Sequence, residues 1–402
     1  MKLLNKDLNF FKFGFFNILE KFLAYISPLL ILKFIGDPLI YNKIELIYSI
    51  SIIINVFIDF GIKGHFVYSY RFYISKNQHK DTYLKAYSVL ILYYIFFSIV
   101  LCFLLKVYNF SSLIIVILIF VRVFYLLIIN FYKYFYRFYY NINYFFLLTI
   151  PVNIITISII FFFVKFNDNY SITYYFLAQF ILVFTYFIYF IIKGYFKIQL
   201  KNFLKVISKS FNYYWPIIFS SAVSIIIMNF GKIYSYYNLP DVDMTKFSFI
   251  IRFLLIIQLF HATFSSYFLK KNYQENQKII NRSIISNYLA GLIIVILITN
   301  ILYPISLNFF DAEYSFDRVY FFLMLYIVFW CVGSYLEQFL GKFNKNLYLM
   351  YLQIFSVSIY FTPLIFLKDI SIYHISFLML LSCSFYLLGV IYFLKKENIK
   401  IK

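Results

Sequence analysis

From Phe13 to Leu394 the chain alternates long apolar runs with short polar breaks, and almost nothing else. At 1.5 Å of rise per residue, a run of about 18 residues or more crosses a hydrocarbon core of roughly 30 Å as a single α-helix. The runs predict helices over Phe13–Ile35, Tyr41–Ile62, Tyr83–Leu105, Ser112–Tyr132, Ile142–Val164 and Tyr170–Ile192. Six more follow over Tyr213–Tyr236, Phe247–Leu269, Ser283–Ile305, Val319–Leu340, Leu347–Leu367 and Ser371–Leu394. The breaks between them are too short to fold as a catalytic domain. An all-α integral membrane protein of about twelve transmembrane helices in two six-helix bundles is expected.

Composition agrees with the pattern. Hydrophobic residues make up 63% of the 402, charged residues 13%, and mean hydropathy is +0.83, so lipid is the expected solvent. Phe (56) and Tyr (43) are abundant, as codons of an AT-rich genome would make them, and aromatic richness alone therefore carries no functional signal. Cys102, Cys331 and Cys383 fall inside apolar runs without metal-ligand spacing, which predicts neither a disulfide framework nor a zinc site. The N-terminal segment lacks a small-residue cleavage pattern, so the first run is expected to remain as a helix.

Charge sets the expected orientation. With the N-terminus inside, 25 of the 36 Lys and Arg fall in internal segments, seven in external segments or helix ends, and four within helices. That asymmetry predicts both termini in the cytoplasm. The net charge of +20 then reflects topology and attraction to anionic membrane lipids, and no nucleic-acid partner is inferred from it. The longest internal link repeats lysine every fourth residue at Lys193, Lys197, Lys201, Lys205 and Lys209, with apolar residues between. An interfacial amphipathic helix fits this spacing, either as a plain anchor or as a lipid sensor. It divides the chain into an N-terminal bundle at 1–192, a basic linker at 193–212 and a C-terminal bundle at 213–402. Proline turns at Pro38 and Pro240, each followed by a lysine (Lys43, Lys246), hint at a duplicated unit, a common way to build a transport path.

Ionisable groups inside apolar runs are the informative residues, because each costs at least about 2.5 kcal/mol at the centre of a spanning helix. Arg122 lies mid-span, where snorkelling to either surface is hardest, and either lines a cavity or partners a buried carboxylate. Lys232 shares a stripe of the seventh helix with Ser221 and Ser224, and Asn229 sits at its edge. Lys232 and Arg252 lie in the outer third of their helices, where snorkelling competes with ligand contact. Lys21 stands beside Glu20, as an interfacial ion pair or a cavity group. These four cations suit an anion such as a pyrophosphate moving between leaflets. Glu20, Glu45, Asp59 and Asn229 are candidates for charge balance or for a coupling H⁺ or Na⁺. Glu337 lies near the inner end of the tenth helix. His65, His79, His261 and His374 have no relay or ligand spacing and are expected to be structural. No nucleotide-binding, zinc-protease or serine-hydrolase motif occurs, so neither catalysis nor a cofactor is expected.

The stretch from Tyr213 to Phe253, with Pro216 opening the seventh helix, Asn229 and Lys232 late in it and a short turn into the eighth, resembles the Wzx-type flippases of O-antigen and capsule synthesis. These belong to the MOP superfamily of exporters, which also holds the MATE drug exporters. Phe57–Phe66 is similar to that family's end of helix 2. Two departures stand out: Asn229 replaces a frequent aspartate, and the eighth helix ends without the usual proline. The resemblance implies paired bundles in a bacterial inner membrane, turning an undecaprenyl-pyrophosphate-linked oligosaccharide to the outer leaflet, with a polysaccharide polymerase as partner. A MATE-like exporter of small compounds and a membrane polymerase or glycosyltransferase are the alternatives; the latter typically needs a large outer loop, which this sequence lacks.

Overall fold

The computed structural model describes residues 2–58, 62, 76–108, 112–140, 143–164, 171–274, 279–280, 282–310, 317–342, 345–367, 370–397 and 400–401. Twelve helices lie among them: α1 Lys2–Ile35, α2 Pro38–Ile58, α3 Lys76–Val107, α4 Leu113–Tyr139, α5 Asn143–Val164 and α6 Ser171–Ile192, then α7 Leu200–Asn238, α8 Asp241–Gln274, α9 Arg282–Phe309, α10 Arg318–Lys342, α11 Asn346–Phe366 and α12 Ile372–Lys396. Two short strands, β1 Ile279–Ile280 and β2 Lys400–Ile401, pair in parallel. Among the described residues, nine helices are long and apolar enough to cross a membrane. The protein is an all-α, multi-pass membrane protein.

Helix ends follow from local chemistry. α1 stops at Gly36, whose φ of 70° and N–H bond to the Leu32 carbonyl (3.1 Å) close the helix in a left-handed turn that glycine adopts without strain. Pro38 then opens α2, and the Asp37 carboxylate accepts the Leu39 N–H at 2.8 Å. The chain after α6 turns at Gly194 (φ 66°), runs non-helically to Gln199 and enters α7 at Leu200.

That entry corrects two expectations. Rather than a separate linker helix and a seventh span opened by Pro216, the structure has one helix of 39 residues with Pro216 inside it. The helix runs without interruption across the expected boundary, and its first turns are amphipathic: Phe203 and Val206 are buried while Lys201, Leu204 and Lys205 are exposed. A proline within a spanning helix gives up one backbone bond, which a membrane bundle tolerates. α1 and α3 likewise begin earlier than their apolar runs, at Lys2 and Lys76, because polar residues extend a helix beyond the hydrocarbon.

By packing, the chain forms two compact units. One comprises 1–42 and 230–402; the other is 43–229. These units group residues by contact and place α1 with the C-terminal helices, whereas the sequence divides the chain into bundles at 1–192 and 213–402. In the unit of 43–229, α4 packs against α3, α5 and α6. Its core face carries Val123, Phe124, Leu127, Ile128, Phe131 and Phe135, all buried. The Phe131 ring stands 5.4 Å from Tyr83 of α3 and 4.6 Å from Phe190 of α6.

In the unit of 1–42 and 230–402, α8 packs on α1, α9, α10 and α12, and α12 also packs on α10 and α11. α9 shows how the lipid boundary is drawn: its buried residues Ile284, Tyr288, Leu292, Thr299 and Tyr303 form a single stripe at helical spacing. The opposite side presents Ile293, Leu297 and Ile301, apolar and exposed, as lipid contact requires. One end of this unit is pinned by polar contacts. The Asn42 amide donates to the Asp241 carbonyl (3.1 Å), the Thr245 hydroxyl donates to the Asn42 side-chain oxygen (3.1 Å), and Lys246 pairs with Asp317.

Gly231 marks the tightest approach at the end of α7. A Cβ there would lie 3.0 Å from the Tyr360 hydroxyl and 3.2 Å from the Phe247 ring, both on fully buried residues. Small residues let spanning helices approach closely. Gly231→Val is expected to cost about 1–3 kcal/mol by overpacking, read as a lowered melting temperature of the purified protein, with Gly231→Ala affected less.

Candidate functional site

Arg122 sits on the tenth position of α4, roughly 14 Å from the start of the helix at 1.5 Å per residue. It is 6% exposed. Its Nη1 donates to the Gln179 side-chain oxygen at 2.5 Å, from the neighbouring α6. Two aromatic faces cover the guanidinium: the Tyr48 ring of α2 lies 4.1 Å from Cζ and the Tyr125 ring of α4 itself 4.4 Å. Tyr125 reaches Arg122 because residues three apart share a helix face. The Tyr48 hydroxyl is held in turn by the Tyr175 hydroxyl at 2.5 Å, one turn before Gln179 on α6.

Sequence reasoning offered Arg122 either a cavity or a buried carboxylate. The structure gives it no carboxylate: among the described residues none lies within ion-pairing distance, and Nε has no hydrogen-bond partner. A neutral amide and two quadrupoles stabilise a guanidinium without cancelling its charge. The cluster therefore retains one positive charge in the interior of the helical unit. Glu45, one turn before Tyr48 on α2, is fully buried. The Ser49 hydroxyl and the Asn55 side-chain oxygen on the same helix have no hydrogen-bond partner among the described residues.

Asp59 and nearly all of Phe57–Phe66 lie outside the described residues. Asn229 turns its amide onto the Ile225 carbonyl of its own helix at 2.8 Å, which occupies one of its donors. Within the unit of 1–42 and 230–402, Lys21 is about a quarter exposed and its ammonium is 3.8 Å from the buried Glu20 carboxylate, a loose contact between adjacent residues. Asn17, one turn earlier, ties α1 to α8 by donating to the Thr263 hydroxyl at 2.7 Å. Lys232 and Arg252 are 6% and 4% exposed, so neither side chain reaches solvent in the way snorkelling would require.

Three polar features were not legible as contacts in the sequence. Gln179, Tyr48, Tyr125 and Tyr175 are uncharged, and in a chain with 43 tyrosines nothing distinguishes the three that matter here. Glu337 on α10 accepts from the Tyr386 hydroxyl of α12, and the adjacent Gln338 donates to Ser265 of α8. His261, expected to be structural, is buried, bonded to the Tyr288 hydroxyl at 2.8 Å and packed edge-on against Trp330. A cavity of about 490 Å³ lies where α10 and α12 begin, lined by Asp317, Arg318, Phe321 and Tyr373, and it holds none of the predicted site residues.

No family model matches the sequence, and no curated protein is similar to it at the sequence level. Solved structures do share its fold. A crystal structure of MATE in the straight conformation superposes with a TM-score of 0.61 at 10% identity, covering 96% of both chains. A crystal structure of MATE in the bent conformation gives 0.59 at 13% identity, again over 96% of each. The chain has the fold of MATE proteins.

Gln179 tests whether the polar cluster is stabilising. Replacing it by leucine removes the one side-chain hydrogen bond to a buried cation, at an expected cost of about 1.5–3 kcal/mol. The loss should appear as a lower melting temperature in detergent, and Gln179→Asn, which keeps an amide, should lose less.

Proposed function

We propose that this protein is an exporter of the MOP type that turns a lipid-linked oligosaccharide, carried on undecaprenyl pyrophosphate, from the inner to the outer leaflet of a bacterial cytoplasmic membrane. The observation that carries this reading is the buried guanidinium of Arg122 without a carboxylate at ion-pairing distance among the described residues. A cation in that position costs several kcal/mol unless an anion offsets it. A pyrophosphate arriving as cargo supplies that anion, and the planar fork of arginine matches phosphate oxygens. Tyr48 and Tyr125 hold the guanidinium plane, leaving Nε and the remaining donors for the ligand. Lys21, Lys232 and Arg252 are proposed as further cationic contacts along the route. Glu20, Glu45, Asp59 and Asn229 are proposed to balance charge or carry a coupling H⁺ or Na⁺.

The MATE-type fold favours a second reading, export of small amphiphilic compounds. A surplus of buried cations is poorly suited to cationic cargo, because like charges repel in a low-dielectric interior. Deleting the gene separates the readings. A flippase leaves lipid-linked single repeat units inside the cell and strips glycan from the surface. Altered drug tolerance with normal glycan points to small-molecule export, and single exported units without polymer point to a polymerase.

At the residue level, Arg122→Ala should reduce transport to background while insertion and yield persist, and Arg122→Lys should keep part of the activity. Gln179→Glu is the sharper probe: it gives Arg122 a resident carboxylate, so melting temperature should hold or rise while transport falls. Wild-type transport in Gln179→Glu would remove Arg122 from the cargo path.

A further inference from the structure

A second cationic cluster lies in the unit of 43–229, at the end where α3 begins and α4 and α6 finish. The ammonium of Lys80 donates to the Tyr140 hydroxyl at 2.7 Å and lies 5.4, 4.6 and 5.5 Å from the ring centroids of Phe135, Tyr140 and Tyr195. The Tyr140 and Tyr195 hydroxyls are 3.5 Å apart. Gly194, at φ 66°, turns the chain after α6 so that Tyr195 folds back, its N–H on the Phe190 carbonyl at 3.2 Å. Lys193, two residues before Tyr195, is exposed and sits 5.5 Å over the Tyr189 ring.

Charge in this cluster is unbalanced. Asp81 is the nearby carboxylate among the described residues, and it is already shared by Lys85 and Lys197, each at 2.7 Å. Lys80 and Lys193 have no carboxylate at ion-pairing distance among the described residues. Both act on the Tyr195 phenol, which hydrogen bonding to Tyr140 and burial hold above its ordinary range against their pull. One ammonium group and two hydroxyls thus converge on one spot, with donors of Lys80 left over after Tyr140 takes one and a second ammonium, that of Lys193, beside Tyr189.

We propose that Lys80, Tyr140, Tyr195 and Lys193 form a binding site for the phosphodiester headgroup of an anionic membrane phospholipid. Ammonium groups and phenols donate charge-assisted bonds to phosphate oxygens. Position selects a lipid over a soluble phosphate. The cluster caps the ends of membrane-spanning helices, and the adjoining Ile188, Ile191 and Ile192 of α6 are apolar and exposed, offering a surface for acyl chains. Tyrosine and lysine at such a depth belong to the membrane interface. The site is separate from Arg122 and does not depend on the proposed cargo.

Native mass spectrometry of the purified full chain, incubated with dioleoylphosphatidylglycerol or with dioleoylphosphatidylcholine, tests the site without any transport assay. The wild type should retain the phosphatidylglycerol selectively, and the Lys80→Gln/Lys193→Gln double variant should retain about tenfold less. Tyr195→Phe should lose an intermediate amount, and Lys80→Arg, which keeps the charge and guards against a folding artefact, should retain binding. Lys201→Gln/Lys205→Gln removes the same charge from the exposed start of α7 and should leave retention unchanged. Equal retention of both lipids, equal loss in the two double variants, or displacement of the lipid by excess inorganic phosphate would each overturn the proposal.

Discussion

Inside a bilayer no water competes for hydrogen bonds, and a polar group that finds no partner within the protein stays unsatisfied. The backbone meets this constraint by becoming helical throughout the spans. Small polar side chains meet it locally: Ser88, Thr149, Thr156, Thr299 and Ser376 all return their hydroxyls to a carbonyl four residues earlier. Asn229 and Asn300 do the same with their amides. These donors are satisfied within their own helix, whatever further contacts the tertiary structure adds.

A guanidinium cannot be satisfied that way, since five donors and a full charge exceed what one turn of helix can supply. Arg122 therefore recruits three helices, taking an amide from α6, a ring from α2 and a ring from its own α4. α4 is the helix against which α3, α5 and α6 pack, so the charge is held on an element with neighbours on several sides. Lys80, half-buried near the helix ends, is likewise held by aromatic faces and a phenol instead of a carboxylate. Neither cation has a carboxylate at ion-pairing distance among the described residues.

Structural likeness to MATE crystal structures at 10–13% identity shows how little sequence the fold needs. Each helix need only present one apolar stripe to its neighbours and apolar side chains to lipid, a requirement that Phe, Ile and Leu meet interchangeably. Fold and cargo are accordingly separable, and the shared architecture by itself selects no cargo.

Hydropathy alone determined the twelve helices, their order and their near-complete coverage of the chain, because burying a backbone in hydrocarbon is a constraint on composition over some twenty consecutive residues. It also singled out Arg122, Lys232 and Arg252, since a charge in an apolar run stands out against its neighbours, but left snorkelling open for the last two, which the structure buries. It placed a boundary between linker and seventh helix that the structure does not have, because an amphipathic lysine face and a spanning helix share one periodicity and join without a break at Tyr213. Tertiary structure alone decided the distant partners: that Gln179 rather than a carboxylate meets Arg122, that Tyr48 covers it, and that α1 packs with the C-terminal helices. Those choices depend on which helix faces meet across more than fifty residues of sequence, and uncharged side chains repeated throughout the chain carry no local mark of that pairing.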